Sequence, residues 1–284
     1  MKNLYKSRSA SFAILAVVYI LAIIGGLLFF KILPWNFQIN LLVADIFATI
    51  IVFAFSVITG NASVYDPYWS VQPVVILLAC TGGEIQTRIG ALTLLVVSLW
   101  GIRLTANWAY TFHGLEYQDW RYTMLHEQTG FFYPIINFIG IHLMPTLIVY
   151  GCTLPAAMVI RGQKEGRPLA VFFLCISLGA IILQGTADCQ MHKFRKEKKT
   201  RFIGVGLWKY SRHPNYLGEI LMWWGIGLSA VFIMPDKWYL LAGALANNLL
   251  FLCVSIPLAD KHQARKEGYE EYRKQTRKLL PIKC

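Results

Sequence analysis

Gly206-Leu207-Trp208-Lys209-Tyr210-Ser211-Arg212-His213-Pro214-Asn215-Tyr216-Leu217-Gly218-Glu219 packs Arg, His, Asn, two Tyr and Glu into one short run. Apolar segments long enough to cross a bilayer lie on both sides, at 168–190 and 217–234. Polar groups in hydrocarbon cost free energy unless they are satisfied, so a polar knot between two such segments needs a reason. It suggests a membrane protein that holds a polar ligand at the edge of the bilayer.

The composition agrees. The 284 residues are 56% hydrophobic and only 15% charged, against about 25% charged in a soluble domain. A helix needs about 20 mostly apolar residues to cross the hydrocarbon. The spans expected on that basis are 11–30, 38–59, 67–80, 89–105, 131–160, 168–190, 217–234 and 238–259. The fold expected is therefore all-α, a polytopic helical bundle of about eight transmembrane helices without a Rossmann domain. The first apolar run follows Lys2, Lys6 and Arg8 and shows no small-residue cleavage pattern, so it reads as a retained span. Two halves are expected: 1–165 on the substrate side and 166–284 on the cofactor side.

The net charge of +12 can signal nucleic acid, but its distribution points to the membrane. With a cytoplasmic N-terminus and eight spans, the inside segments carry 21 of the 27 basic residues, Arg103 included. That follows the positive-inside rule, and Arg161, Lys164 and Arg167 run against it. Both termini and the cofactor site are thus expected on the cytoplasmic side, with membrane lipids as partners and no nucleic acid. The six cysteines form no Cys-x-x-Cys pair and read as small buried hydrophobes. No metal site is expected: there is no His-Glu-x-x-His and no zinc spacing, and there is no Walker loop.

Gln184, Asp188, His192, Arg195 and Lys199 are spaced 4, 4, 3 and 4 apart, which places them on one helix face. Amide, carboxylate, imidazole and two cations along one stripe suit a nucleotide, with the cations for phosphates. A solvated basic juxtamembrane helix is the alternative. Pro214 pushes His213 out of helical geometry, so Arg212-His213-Pro214-Asn215 reads as a turn, with Asn215 able to cap the helix that follows and Glu219 one turn on. The positive end of that helix suits anionic groups. An interfacial turn with Trp and Arg anchors is the alternative there. The tail from Asp260 to Tyr272 looks helical with a break near Gly268, and could instead clamp to the inner leaflet.

The phrase Gly206–Glu219 resembles the centre of the steroid 5α-reductase C-terminal domain, shared more loosely with sterol C14/C7 reductases and isoprenylcysteine carboxyl methyltransferases. The whole chain is similar to a little-characterised membrane branch of that superfamily. The phrases that carry this are Ser63–Ser70, Trp100–Trp108 and Gly114–Tyr122. The resemblance implies NADPH as cofactor in a helical membrane pocket. Asp188 and Arg195 match the polar helix that holds it, and Asn215 and Glu219 match the pair that reaches the nicotinamide end. Trp208, Tyr210, His213 and Tyr216 fall in the same motif, and Asp260 and Tyr272 match the tail that closes the pocket. Arg212 belongs to the same turn.

The resemblance also implies a Glu and a Tyr in the N-terminal half that polarise an enone carbonyl. Tyr65, Asp66, Glu84 and Arg103 are candidates by position and chemistry, and Trp100 stands near the place of the family's Tyr. The function expected is NADPH-dependent reduction of an activated C=C bond in a steroid-like, isoprenoid or fatty acyl substrate. The alternatives are an S-adenosylmethionine-dependent methyltransferase of a lipid or isoprenyl thiol, and a non-catalytic protein that binds lipid or a partner.

Overall fold

A computed structural model describes residues 5–197 and 201–280. Helices dominate, and the described residues contain no strand, only an isolated bridge between Ser211 and Arg277. Among the described residues, seven helical runs are long and apolar enough to cross a membrane: Arg8–Ile32, Phe37–Thr59, Arg88–Thr111, Trp120–Arg161, Pro168–Glu197, Pro214–Ile233 and Pro235–Gln263. The all-α polytopic bundle is therefore present. The eighth expected span, 67–80, is the 13-residue helix Tyr68–Cys80, which contains Pro73. At 1.5 Å per residue it is about 20 Å long, too short to cross about 30 Å of hydrocarbon.

The chain forms two compact units. The first comprises Met1–Cys80 and Trp100–Leu154, the second Thr81–Leu99 and Pro155–Cys284. In the first unit, α1 (Arg8–Ile32) packs on α2 (Phe37–Thr59). Asn36 caps α2, its side chain accepting from the Ile39 N–H, and Gly60, at φ 66°, ends it in the left-handed conformation that glycine adopts without penalty. Leu15, Val18 and Ala22 bury against Ala48 and Val52, and Val64, Tyr65, Tyr68, Phe112 and Leu115 complete that core. A 3-10 turn at Ala62–Tyr65 leads into α3 (Tyr68–Cys80), and α4 is Arg88–Thr111.

The loop after α4 is sewn to that turn. The Asn61 side-chain amide donates to the Leu115 carbonyl at 2.7 Å, and the Ser63 hydroxyl accepts from the Asp119 N–H at 3.0 Å. Asp119 then caps α5 (Trp120–Thr129) through the Arg121 N–H. The run continues through α6 (Tyr133–Ile136), a π turn at Asn137–Leu143 and α7 (Met144–Arg161).

In the second unit, α8 (Pro168–Glu197) and α9 (Pro214–Ile233) approach closely because glycines face them. A Cβ on Gly218 would lie 2.4 Å from Gln184 Cγ, and one on Gly225 would lie 2.2 Å from Ser177 Oγ. Both glycines on α9, and both of their neighbours on α8, are seven residues apart, so one seam recurs every two turns. The Ser177 hydroxyl seals it by donating to the Met222 carbonyl at 2.9 Å. A 3-10 segment at Pro235–Leu241, α10 (Ala242–Leu250), a π turn at Phe251–Ser255 and α11 (Ile256–Gln263) follow, and α12 (Tyr269–Gln275) ends the described chain. Cys80 and Cys152 are buried as expected, whereas Cys175, Cys189 and Cys253 lie on exposed helix faces.

Candidate functional site

The polar knot at 206–219 is built from two directions. Gly206 has φ 62°, and a Cβ there would meet the Gln190 amide at 2.6 Å, so only glycine lets the chain turn against α8. The Gln190 side-chain oxygen accepts from the Leu207 N–H at 2.9 Å, and the buried Trp208 indole donates to the Ala187 carbonyl at 3.2 Å. From the other side α12 clamps the loop. The Tyr272 hydroxyl donates to the Trp208 carbonyl, the Thr276 hydroxyl to the Lys209 carbonyl, and the Arg212 N–H to the Arg277 carbonyl. Burial pushes the Tyr272 hydroxyl up to about 12 and raises that of Tyr269 as well, so both stay protonated donors.

Arg212 and His213 turn inward. The guanidinium of Arg212 donates to both carboxylate oxygens of Asp260, at 3.4 and 2.9 Å, and to the carbonyls of Thr276 and Arg273 at 2.6 and 3.2 Å. His213 Nε2 lies 2.9 Å from Asp260 Oδ1, which also accepts from the Tyr269 hydroxyl at 2.8 Å. All four residues are buried. These groups hold the loop, the tail and the start of α9 together. The expected turn is present, but Asn215 does not cap α9: Pro214 is the first helical residue and His213 the cap position, with no side-chain cap bond. The Asn215 side-chain oxygen accepts instead from the Tyr216 N–H at 3.1 Å, and the Tyr216 ring stacks on His213 at 5.2 Å. Tyr210 is exposed.

The stripe on α8 forms as its spacing requires, with Gln184 buried, Asp188 and His192 half-buried and Arg195 exposed. Lys199 lies outside the described residues. Glu219 on α9 meets the inner end of the stripe. Its carboxylate accepts from the Gln184 amide at 2.9 Å and from the Trp223 indole at 2.8 Å. Gln184 Oε1 is buried and has no hydrogen-bond partner among the described residues.

At the outer end, Lys266 is a residue that sequence reasoning missed. Burial first, and then the positive charge of Arg195, lowers its pKa, so this ammonium feels the charge on α8. From Gln184 to Arg195 the stripe climbs about 16 Å of helix.

In the first unit, Tyr65 is buried and its hydroxyl shares a hydrogen bond with Thr146 at 2.8 Å, Thr146 in turn bonding Thr49 at 3.0 Å. Burial raises the pKa of this phenol. Asp66 accepts from the Tyr122 hydroxyl at 2.7 Å, and burial pushes its pKa up to about 6. Tyr65, Asp66 and Arg103 belong to this unit, but Glu84 is an exposed residue of the second, bonded only to nearby Gln86 among the described side chains.

The first unit assembles a further polar group. Asp45 on α2 accepts from the Gln72 amide at 2.5 Å and from the Tyr68 hydroxyl at 3.5 Å, and His142 packs its ring 4.9 Å from that of Tyr65. Asp45 and His142 each sit inside a predicted span. An ionisable residue within an apolar span is the signal that finds them.

The helices and the polar knot together make a multi-pass membrane protein with a polar stripe on α8 that meets Glu219 of α9. Residues 52–277 match the family described as "Protein of unknown function (DUF1295)", and the chain belongs to that family. It is similar to the uncharacterized protein C594.04c of Schizosaccharomyces pombe, 25% identical over 216 residues that cover 66% of this chain and 62% of that protein. The chain thus spans less than two thirds of the length of that relative. No solved structure matches it.

Proposed function

We propose that the protein is a membrane-embedded reductase that binds NADPH along the α8 stripe and reduces an activated C=C bond of a lipid-soluble substrate. The observation that carries this reading is the polarity of the stripe from end to end. Arg195 stands at its outer end, with Lys266 near enough to feel its charge, which suits phosphates. At its inner end Gln184 Oε1 is a buried acceptor with no protein donor among the described residues, which suits a carboxamide N–H such as that of nicotinamide. Between them Asp188 and His192 supply an acceptor and an imidazole for ribose.

When bound, the cofactor supplies the hydride. The chain's own groups do the rest: Arg195 and Lys266 hold charge, Gln184 and Glu219 fix the inner end, and the seam at Gly218 keeps α8 and α9 close enough to exclude water. The Arg212–His213–Asp260 network positions the tail that carries Lys266. The family resemblance of the Gly206–Glu219 phrase supports the same chemistry, with a steroid-like, isoprenoid or fatty acyl substrate.

The test is binding of NADPH, NADH and S-adenosylmethionine, side by side, to the purified protein in detergent. Stabilisation by NADPH, reduced in Arg195→Ala, is the expected result. Stabilisation by S-adenosylmethionine alone moves the assignment to methyl transfer, and no response to any of them removes the enzyme reading.

A further inference from the structure

The first unit holds a polar cluster that the cofactor reading does not use. His142 is fully buried in the π turn Asn137–Leu143. Its Nδ1 lies 3.0 Å from the Asn137 carbonyl oxygen. A carbonyl can only accept, so Nδ1 carries the hydrogen, and Nε2 of the neutral ring is then a bare acceptor.

No described group donates to that Nε2, nor to Gln72 Oε1 or Asn137 Oδ1, both on buried side chains of the same unit. The amide nitrogens of those two residues are already committed, to Asp45 and to the Ser56 hydroxyl. All three unpartnered atoms are therefore acceptors. The His142 ring is flanked by Phe53 at 5.3 Å and Tyr65 at 4.9 Å, and Phe138 packs on Phe53 at 4.9 Å.

A buried acceptor left unpaired in a membrane span is costly, and widened π turns recur where a helix carries a ligand. A ketone or ester would face an acceptor with another acceptor, and a charged amine would bring a full charge into an apolar surrounding. A hydroxyl donates a hydrogen and carries no charge, and the aromatic walls suit hydrocarbon. We propose that the first unit holds an intramembrane site for a lipid-soluble alcohol, whose hydroxyl donates to His142 Nε2 and whose hydrocarbon lies along the Phe53 and Tyr65 rings. The site stands whether or not the second unit binds a nucleotide.

The experiment is photolabelling of the full-length protein in detergent with diazirine-bearing sterol and polyprenyl alcohols, each beside its O-methyl ether. At least one alcohol labels peptides within 45–72 or 137–146 saturably. Its ether, which cannot donate, competes at least tenfold less well, the worth of about one buried hydrogen bond. His142→Phe keeps a flat ring, removes the acceptor and erases the difference between alcohol and ether.

Nitrogen-15 NMR of the histidine-labelled wild-type protein makes the same test without a substitution. Nε2 is unprotonated, and its resonance shifts on addition of the alcohol but not of the ether. Equal labelling by alcohol and ether, no saturable labelling by either class, a hydrogen found on Nε2, or an Nε2 that stays bonded to water in the presence of every probe overturns the proposal.

Discussion

His213 Nε2 stands 2.9 Å from Asp260 Oδ1, although 47 positions separate the two residues. That contact joins the start of α9 to the end of α11. Because Asp260 also takes the Arg212 guanidinium and the Tyr269 hydroxyl, one buried carboxylate fixes three segments at once.

Asp260→Asn keeps the shape of the side chain and removes its charge, leaving Arg212 buried without its counter-charge. Removing one partner of a buried pair costs about 3–5 kcal/mol. Tyr269→Phe deletes one hydrogen bond and costs about 1 kcal/mol. Unfolding of the two variants in detergent checks the order, and an Asp260→Asn loss no larger than that of Tyr269→Phe contradicts the central role of the carboxylate.

The glycine seam makes a second prediction. A methyl at Gly225 falls 2.2 Å from Ser177 Oγ and 2.7 Å from the Phe173 carbonyl, so Gly225→Ala forces α8 and α9 apart at a cost of about 1–3 kcal/mol. Gly179 lies on α8, and a methyl placed there would meet nothing within 4 Å. Gly179→Ala therefore gains up to about 1 kcal/mol of helix propensity. Thermal midpoints moving in opposite directions are the expected result; a fall in both shows that the seam is not what distinguishes the two sites.

Asp66 gives a pH dependence with a definite sign. Burial raises its folded pKa to about 6, from an ordinary value of 3.8. The folded protein thus holds this proton more tightly than the unfolded chain does. The resulting stability is fully present below about pH 4 and is lost as pH rises through about 6. Relative to Asp66→Asn, the wild type loses stability between pH 4 and 7 and runs parallel above that. Equal slopes for the two proteins across the interval would show that Asp66 is solvated.

If α8 carries the phosphates, the outer cations matter more than the inner amide for charge. Arg195→Ala and Lys266→Ala each weaken NADPH binding by about tenfold or more, and both flatten its salt dependence, with the helical circular dichroism spectrum unchanged. Gln184→Leu also weakens binding but leaves the salt dependence intact. A salt dependence that survives removal of both cations places the phosphates elsewhere.

Much of the architecture was legible in the apolar runs. Lengths of about 20 residues between Lys- and Arg-rich segments located the spans, because hydrocarbon tolerates little else. The exception, Tyr68–Cys80, is apolar yet only 13 residues long, and length was the signal to heed. The α8 stripe was legible for the same kind of reason, since spacing of three and four residues fixes a helix face without reference to any other segment. The capping role read for Asn215 failed because Pro214 took the first helical position and left His213 as the cap.

Residue order alone was enough for an all-α, multi-pass chain, for the face shared by Gln184, Asp188, His192 and Arg195, and for the turn at Pro214. Each is set by local backbone geometry or by transfer from water to hydrocarbon, and neither depends on a distant partner. Packing had to settle that Arg212 and His213 are spent on Asp260, that Lys266 feels the charge of Arg195, and that the His142 ring meets that of Tyr65. Those pairings lie between 47 and 77 residues apart in sequence. The Asp260 pairings are selected by the need to satisfy buried polar groups, a requirement that names no partner until the helices have packed.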